Sequence, residues 1–280
     1  MKLEWSNYSF DFSWKTAIMG ILNITPDSFS DGSLFLDRER AVEHALQMVE
    51  DGADIIDIGG ESTRPGSEAV ALDEELRRVI PVIEAIAKKI NIPVSIDTYK
   101  AAVAHRAIDA GASMVNDISG LMFDPDMAKA VAAAGVPVVL MHIRGTPRDM
   151  QKDPVYSDLM PEVMDYLRHS IRIACDAGID RSKIVIDPGI GFGKTAEHNL
   201  QILKYLPELE VLGRPILVGV SRKAFLGRIL GDAGPSERLE GTAAAVAIAV
   251  MNGANIIRVH DVKEMAKVVR VADAIKRGKL

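Results

Sequence analysis

One pattern recurs along this chain and limits its fold more than any other feature. Gly52-Ala-Asp-Ile-Ile-Asp57, Gly111-Ala-Ser-Met-Val-Asn-Asp117 and Gly253-Ala-Asn-Ile-Ile-Arg258 each set a glycine after a helical run, then a short apolar stretch, then a polar residue. Gly178 with the later run Ile184-Val-Ile-Asp187 is a looser copy. A glycine helix cap leading into a buried parallel strand has this form. Apolar runs at Ala17–Leu22, Pro93–Ile96, Pro137–Met141 and Pro215–Val220 supply four more strands. Amphipathic stripes lie between: Ala41, Val42, Ala45, Leu46 and Val49 in one, Leu76, Val79, Ile80, Ile83 and Ile86 in another. Asp124-Pro125 reads as an N-cap with proline at the first helical position. Eight strands alternating with eight helices predict an α/β fold with a parallel sheet, closed as a (β/α)8 TIM barrel. An open doubly wound sheet is the alternative. Residues 1–14 precede the pattern and are expected to form a short lid hairpin. No linker, low-complexity tract or charge block divides the sequence, so residues 1–280 are expected to form a single domain.

Composition removes several function classes. A net charge of −6 argues against a general nucleic-acid binder. The single cysteine, Cys175, excludes an internal disulfide and reads as a small core residue. The N-terminus lacks the apolar core of a signal peptide, and the longest apolar stretch, from Ala243 to Met251, is too short to span a bilayer. No membrane partner and a cytoplasmic location are therefore expected.

In a barrel of this kind the chemistry belongs to the C-terminal strand ends. Those ends carry Asn23; Glu61, Thr63 and Arg64; Asp97; Asn116 and Asp117; His142; Asp187; Ser221, Arg222 and Lys223; and Arg258 and His260. A lone Asp or Asn after a strand is most simply the cap of the next helix. Caps do not call for Lys, Arg and His, so the whole set asks for another explanation. Asp97, Asn116 and Asp187 suit a flat heterocycle with a row of N–H donors and a carbonyl. Arg64, Lys223, Arg258 and His260 suit a phosphate or diphosphate. There is no zinc-ligand spacing, no Gly-x-Ser-x-Gly elbow and no redox motif. The stretch from Asp187 to Thr195, DPGIGFGKT, imitates two phosphate-binding loops and misses each by one residue.

Seven blocks in order resemble the dihydropteroate synthases, a family of folate-pathway enzymes: Ile21 to Asp31, Asp57 to Gly66, Ser95-Ile-Asp97-Thr98, Val115-Asn116-Asp117, Asp187 to Lys194, Ser221-Arg-Lys223 and Arg258-Val-His260-Asp261. The resemblance runs from about Ala17 to the C-terminus. It implies condensation of a pterin methyl diphosphate with 4-aminobenzoate, Mg²⁺, sulfonamide sensitivity and a homodimer. The residues that it implies for the pterin diphosphate are Thr63, Arg64, Asp97, Asn116, Asp187, Lys223, Arg258 and His260, with Asp97, Asp187 and Lys223 catalytic. For the aminobenzoate it implies Phe192 and Ser221, and for the metal Asn23. Lys194 is expected to be a solvated residue at a helix start, and His142, Asp117 and Arg222 to be structural. Ser33 departs from the glycine common in the family. The segment from Ile24 to Leu36 and the loop from Glu61 to Glu68 are expected to close over the mouth. A pterin-binding methyltransferase domain would share the barrel and the acidic set but would not need the cations. A non-catalytic pterin-binding protein would not need the complete set.

Overall fold

The protein is described by a computed structural model covering residues 1–25 and 34–279, the side chains of 34–37 excepted. Residues 26–33, most of one expected closing segment and including Ser33, lie outside the described residues. A hairpin of β1 (Lys2–Trp5) and β2 (Tyr8–Asp11) comes first. The barrel follows as β3 (Ala17–Asn23), α1 (Leu34–Glu50), β4 (Ile55–Gly59), α2 (Leu72–Ile86), β5 (Val94–Asp97), α3 (Ala101–Asp109), β6 (Met114–Asp117), α4 (Met127–Ala134), β7 (Val138–Met141) and α5 (Leu159–Asp176). It is completed by β8 (Ile184–Asp187), α6 (Ala196–Lys204), β9 (Leu217–Val218), α7 (Ala224–Ile229), α8 (Leu239–Met251), β10 (Ile256–Val259) and α9 (Val262–Arg277). The last strand thus pairs with the first of the barrel, in the order β8-β7-β6-β5-β4-β3-β10-β9. A parallel bridge between Ile186 and Ile216 joins the two ends of that row, so the sheet closes and the open-sheet alternative falls.

Strand residues alternate between two environments, as strand pleating requires. Ile56, Ile58, Ile96, Val115 and Val138 face outward onto the helices. Met19, Ile55, Met114, Val139, Val185, Leu217 and Ile256 fill the barrel's lower interior. Helix α2 illustrates the balance of forces. It contains Pro81, and a mid-helix proline costs ~3 kcal/mol. Its buried stripe of Val79, Val82, Ile83 and Ile86, at about 1.5–3 kcal/mol each, outweighs that cost.

Three expectations need correction. The N-terminal hairpin is not a lid: Leu3 and Trp5 pack with the residues at the N-terminal strand ends, so it plugs the bottom of the barrel. Asp124 does not cap α4, which begins at Met127; one carboxylate oxygen accepts from Asp126 N at 3.0 Å and the other from Ala101 N, the first residue of α3, at 2.7 Å. The strand expected over Pro215–Val220 shrinks to two residues because the Asn255 side chain takes the Ile216 N–H at 2.8 Å, displacing ladder pairing. Two helices, α7 and α8, then follow this strand in place of one.

Candidate active site

Strand register assembles the site. Asn23, Gly59, Asp97 and Asn116 are opposed in one row across β3, β4, β5 and β6. Asp57 lies two residues before Gly59 and so projects to the same interior face. From β10, Arg258 reaches both acids: Nε donates to Asp57 Oδ2 at 2.6 Å and Nη2 donates to Asp97 Oδ2 at 2.7 Å. Asn116 Nδ2 donates to the same Asp57 oxygen at 3.0 Å. That bond fixes the Asn116 amide, leaving its oxygen as the group available to a ligand. Among the described residues, Asp57 Oδ1 and Asp97 Oδ1 are buried without any hydrogen-bond partner. Buried carboxylate oxygens normally have one, so these are acceptors shaped for donors from outside the chain.

Burial dominates the electrostatics. It pushes Asp97 up to about 7, against the pull of Arg258 and with the help of Asp57. It pushes Asp187 up to about 6, although Gly189 N donates to Asp187 Oδ1 at 2.7 Å and Lys223 and Lys194 stand near. Lys223 is lowered to about 8 by burial and then by Arg258. Arg258 itself is raised by the acids around it, burial opposing. The barrel mouth therefore holds acids and bases that titrate within a few pH units of neutrality, a common property of working sites.

The turn after β9 delivers the next group. Arg222 is held in the left-handed region at φ 57°, locked by its own ion pair with Asp261 and by Arg238 Nη1 donating to its carbonyl at 2.8 Å. On either side of it stand Ser221 and Lys223. Lys223 Nζ lies 4.3 Å from the centre of the Phe192 ring, a cation–π contact. Ser221 Oγ meets His260 Nδ1 at 3.0 Å. Burial, followed by Arg258 and Arg222, lowers His260 to about 3, so against its protein neighbours alone it is neutral. Asp117 accepts from Ser119 N, Ser119 Oγ and Leu121 N at 2.7 to 2.8 Å, which builds the turn after β6.

The glycine stretch after β8 is a close-packed turn. A Cβ at Gly189 would sit 1.9 Å from the His142 carbonyl oxygen, and one at Gly193 would sit 2.4 Å from that of Arg144; both glycines also have positive φ. Only glycine permits this approach. Lys194 departs from expectation: it is buried, its Nζ lying 2.8 Å from His142 Nδ1 and donating to the Phe192 carbonyl at 2.9 Å. Burial lowers the amine well below the usual lysine range.

The expected residues Asp97, Asn116, Asp187, Lys223, Arg258 and Phe192 meet at one end of the barrel, with Asn23 beside them. Thr63 and Arg64 stand apart on the β4–α2 loop, where Arg64 is exposed. Glu61 anchors that loop: it accepts from Val70 N at 3.0 Å, Tyr99 Oη at 2.6 Å and Lys100 Nζ at 2.5 Å. Sequence reasoning passed over Asp57, whose signal was an acid inside the apolar run Ile55-Ile56-Asp57-Ile58. For a divalent cation, Asn23 Oδ1 and Asp97 Oδ2 both lie 3.7 Å from the point where a Gly59 Cβ would stand. No cluster of three His, Cys, Asp or Glu that could hold a metal ion occurs among the described residues. Such a donor set fits a metal that brings most of its ligands with it.

A family model described as pterin binding enzyme matches residues 19–260. A dihydropteroate synthase of Synechocystis is 51% identical over 96% of this chain and 93% of its own length. The Yersinia pestis dihydropteroate synthase, solved as a sulfonamide drug complex, is 45% identical with a TM-score of 0.93, covering 99% of this chain and 100% of that one. A Xanthomonas albilineans dihydropteroate synthase in complex with 7,8-dihydropteroate is 42% identical with a TM-score of 0.89, covering 99% of each chain.

Proposed function

The chain belongs to the pterin-binding enzyme family, among its dihydropteroate synthases, and from that premise we propose how its own residues carry the reaction. The activity is that of a transferase of folate synthesis, condensing (7,8-dihydropterin-6-yl)methyl diphosphate with 4-aminobenzoate to 7,8-dihydropteroate and diphosphate. The observation that carries the assignment of roles is the buried Asp97 carboxylate, its Oδ1 unpaired among the described residues, its Oδ2 taken by Arg258, with Asn116 opposite on β6 and Lys223 near.

In this reading Asp97 and Asp187 accept N–H bonds from the pterin, and the Asn116 oxygen accepts another. Lys223 donates to a pterin oxygen or nitrogen. The methylene C–O bond breaks and its electron pair leaves with diphosphate. The two carboxylates favour the positive charge that spreads over the ring. The amine nitrogen of the aminobenzoate then forms the new C–N bond and gives up a proton. Arg258, released from Asp57 and Asp97, takes the departing diphosphate together with Arg64, Thr63 and neutral His260 as an N–H donor. Phe192 and Ser221 line the aminobenzoate side.

Mg²⁺ entering with the diphosphate would neutralise charge on the leaving group, and Asn23 would give it one amide oxygen. The same reading includes a cytoplasmic enzyme that acts as a homodimer. Exposed Leu200 on α6, Ile229 at the end of α7, Leu230 just after it and Ile248 on α8 line an apolar groove of 590 Å³, which supports that assembly. A diphosphate-release assay run with and without 4-aminobenzoate tests the function. Release that depends on the amine is expected. Release at the same rate without it would refute the condensation.

A further inference from the structure

The glycine turn after β8 is built so that each of three successive carbonyls is held by a different side chain. Gln151 Nε2 donates to Gly191 O at 2.7 Å, Lys194 Nζ to Phe192 O at 2.9 Å and Tyr156 Oη to Gly193 O at 2.8 Å. Gln151 and Tyr156 come from the β7–α5 connection. Lys194 is tied to that side as well, through His142 Nδ1 at 2.8 Å. Its two partners are an imidazole nitrogen and a carbonyl, so neither bond is an ion pair. An ammonium or a neutral amine can each supply the two N–H donors. The carbonyl it holds belongs to the residue whose ring lies under Lys223 Nζ, packed among Ile118, Met141, Ile143 and Met150.

We propose that Lys194 is a positioning residue for the aminobenzoate side of the site: by fixing the Phe192 carbonyl against His142, it sets the Phe192 ring where the aromatic amine must stack. The inference rests on the reading of Phe192 given above. Lys194 touches no substrate in this scheme. Its loss leaves Gly191 and Gly193 held by Gln151 and Tyr156, so the disturbance is confined to Phe192. The pterin groups carried on the strands, Asp97, Asn116 and Asp187, keep their own bonds to Arg258, Asp57 and the Gly189 N–H.

The test is steady-state kinetics with both substrates on Lys194→Met, with melting temperature measured alongside. Removing the donor from a buried carbonyl is expected to raise the KM for 4-aminobenzoate about tenfold while the KM for the pterin diphosphate stays within twofold. The wild-type enzyme run in parallel separates the two readings: if it does not release diphosphate, the functional assignment fails, whatever the variant does. If the wild type turns over and Lys194→Met leaves both KM values unchanged, or raises both together, the positioning role is wrong. Should Lys194→Met not fold, His142→Asn and His142→Leu decide the matter. Asparagine can offer an oxygen near the place of Nδ1 and is expected to keep the wild-type KM for the amine, whereas leucine is expected to raise it. Equal behaviour of these two variants would overturn the proposal.

Discussion

Asp57→Asn is the perturbation that probes the site most directly, because it changes one atom in the middle of the buried network. Asp57 Oδ2 receives Arg258 Nε at 2.6 Å and Asn116 Nδ2 at 3.0 Å. Asparagine keeps the shape and one acceptor oxygen but loses the charge. A charge-assisted hydrogen bond contributes about 1.5–3 kcal/mol and a neutral one about 0.5–1.5, so weakening both is expected to destabilise the fold by about 2–3 kcal/mol. For a chain of this size that lowers the melting temperature by roughly 3–5 °C. A second readout concerns Asp97. Asp57 helps to hold the Asp97 pKa up at about 7, and its charge also competes for Arg258. Removing that charge lowers the Asp97 pKa, so the acid limb of the pH profile of kcat/KM is expected to move to lower pH. The KM for the pterin diphosphate is expected to rise, since Asn116 is no longer turned by its anionic partner. A variant that melts within a degree of the wild type and keeps its acid limb would refute the reasoning.

Asp97→Asn and Asp187→Asn are expected to keep the fold and to lose about 30- to 4000-fold in kcat/KM, the cost of truncating one partner of a buried charged hydrogen bond. Near-normal turnover in well-folded variants would remove these carboxylates from the site. In the wild type, kcat/KM is expected to rise with pH through about 6 to 7 as Asp187 and Asp97 ionise, and to fall above about 8 as Lys223 loses its proton. Lys223→Arg should move only the alkaline limb, and an unmoved limb would assign it elsewhere. The sign for stability is the reverse of the usual acid-denaturation case: both carboxyl groups hold protons in the folded state that they release when unfolded, so their contribution is lost as pH rises from about 4 to about 7. Thermal melts of the free protein at pH 5 and pH 7.5 measure that change. Gly189→Ala is expected to disrupt the turn, since its Cβ would meet the His142 carbonyl at 1.9 Å. A soluble variant with unchanged KM for both substrates would contradict this packing.

The parts of the fold legible in the sequence were those that repeat. Glycine caps and β-branched runs recur because every βα unit solves the same burial problem, so the barrel could be counted from periodicity and its mouth located from the strand ends. Contacts between distant elements left weaker traces. Asp124 has the local form of an N-cap, yet one of its oxygens serves α3, the helix before its own, which no local rule anticipates. Lys194 follows a glycine turn and opens a helix, as solvated lysines do; its burial depends on the path of the β7–α5 connection, some fifty residues earlier. The charge of His260 was open by residue type, and its neighbours Arg258 and Arg222, with burial, favour the neutral form. Asp57 did leave a trace, since an acid inside a buried strand must have a partner, and that partner, Arg258, lies on the last strand.

The pairing of β3 with β10 has a consequence for the order of events on the ribosome. The barrel cannot close during synthesis until β10 has emerged, because the first barrel strand finds its second neighbour only there, at Ala17 opposite Ile256. Thr16 waits equally long for Asp273 on α9, whose carboxylate accepts from its backbone N at 2.9 Å and its hydroxyl at 2.8 Å. Leu3 and Trp5 are made earlier still, but the floor they seat against includes Leu217 and Ile256. The hairpin, made before every strand of the barrel, is therefore among the last elements to settle, and its apolar side chains stay available to chaperones, or to other nascent chains, until β10 is made. Trp5, buried only once that floor exists, is a built-in fluorescent reporter of the moment the ring closes.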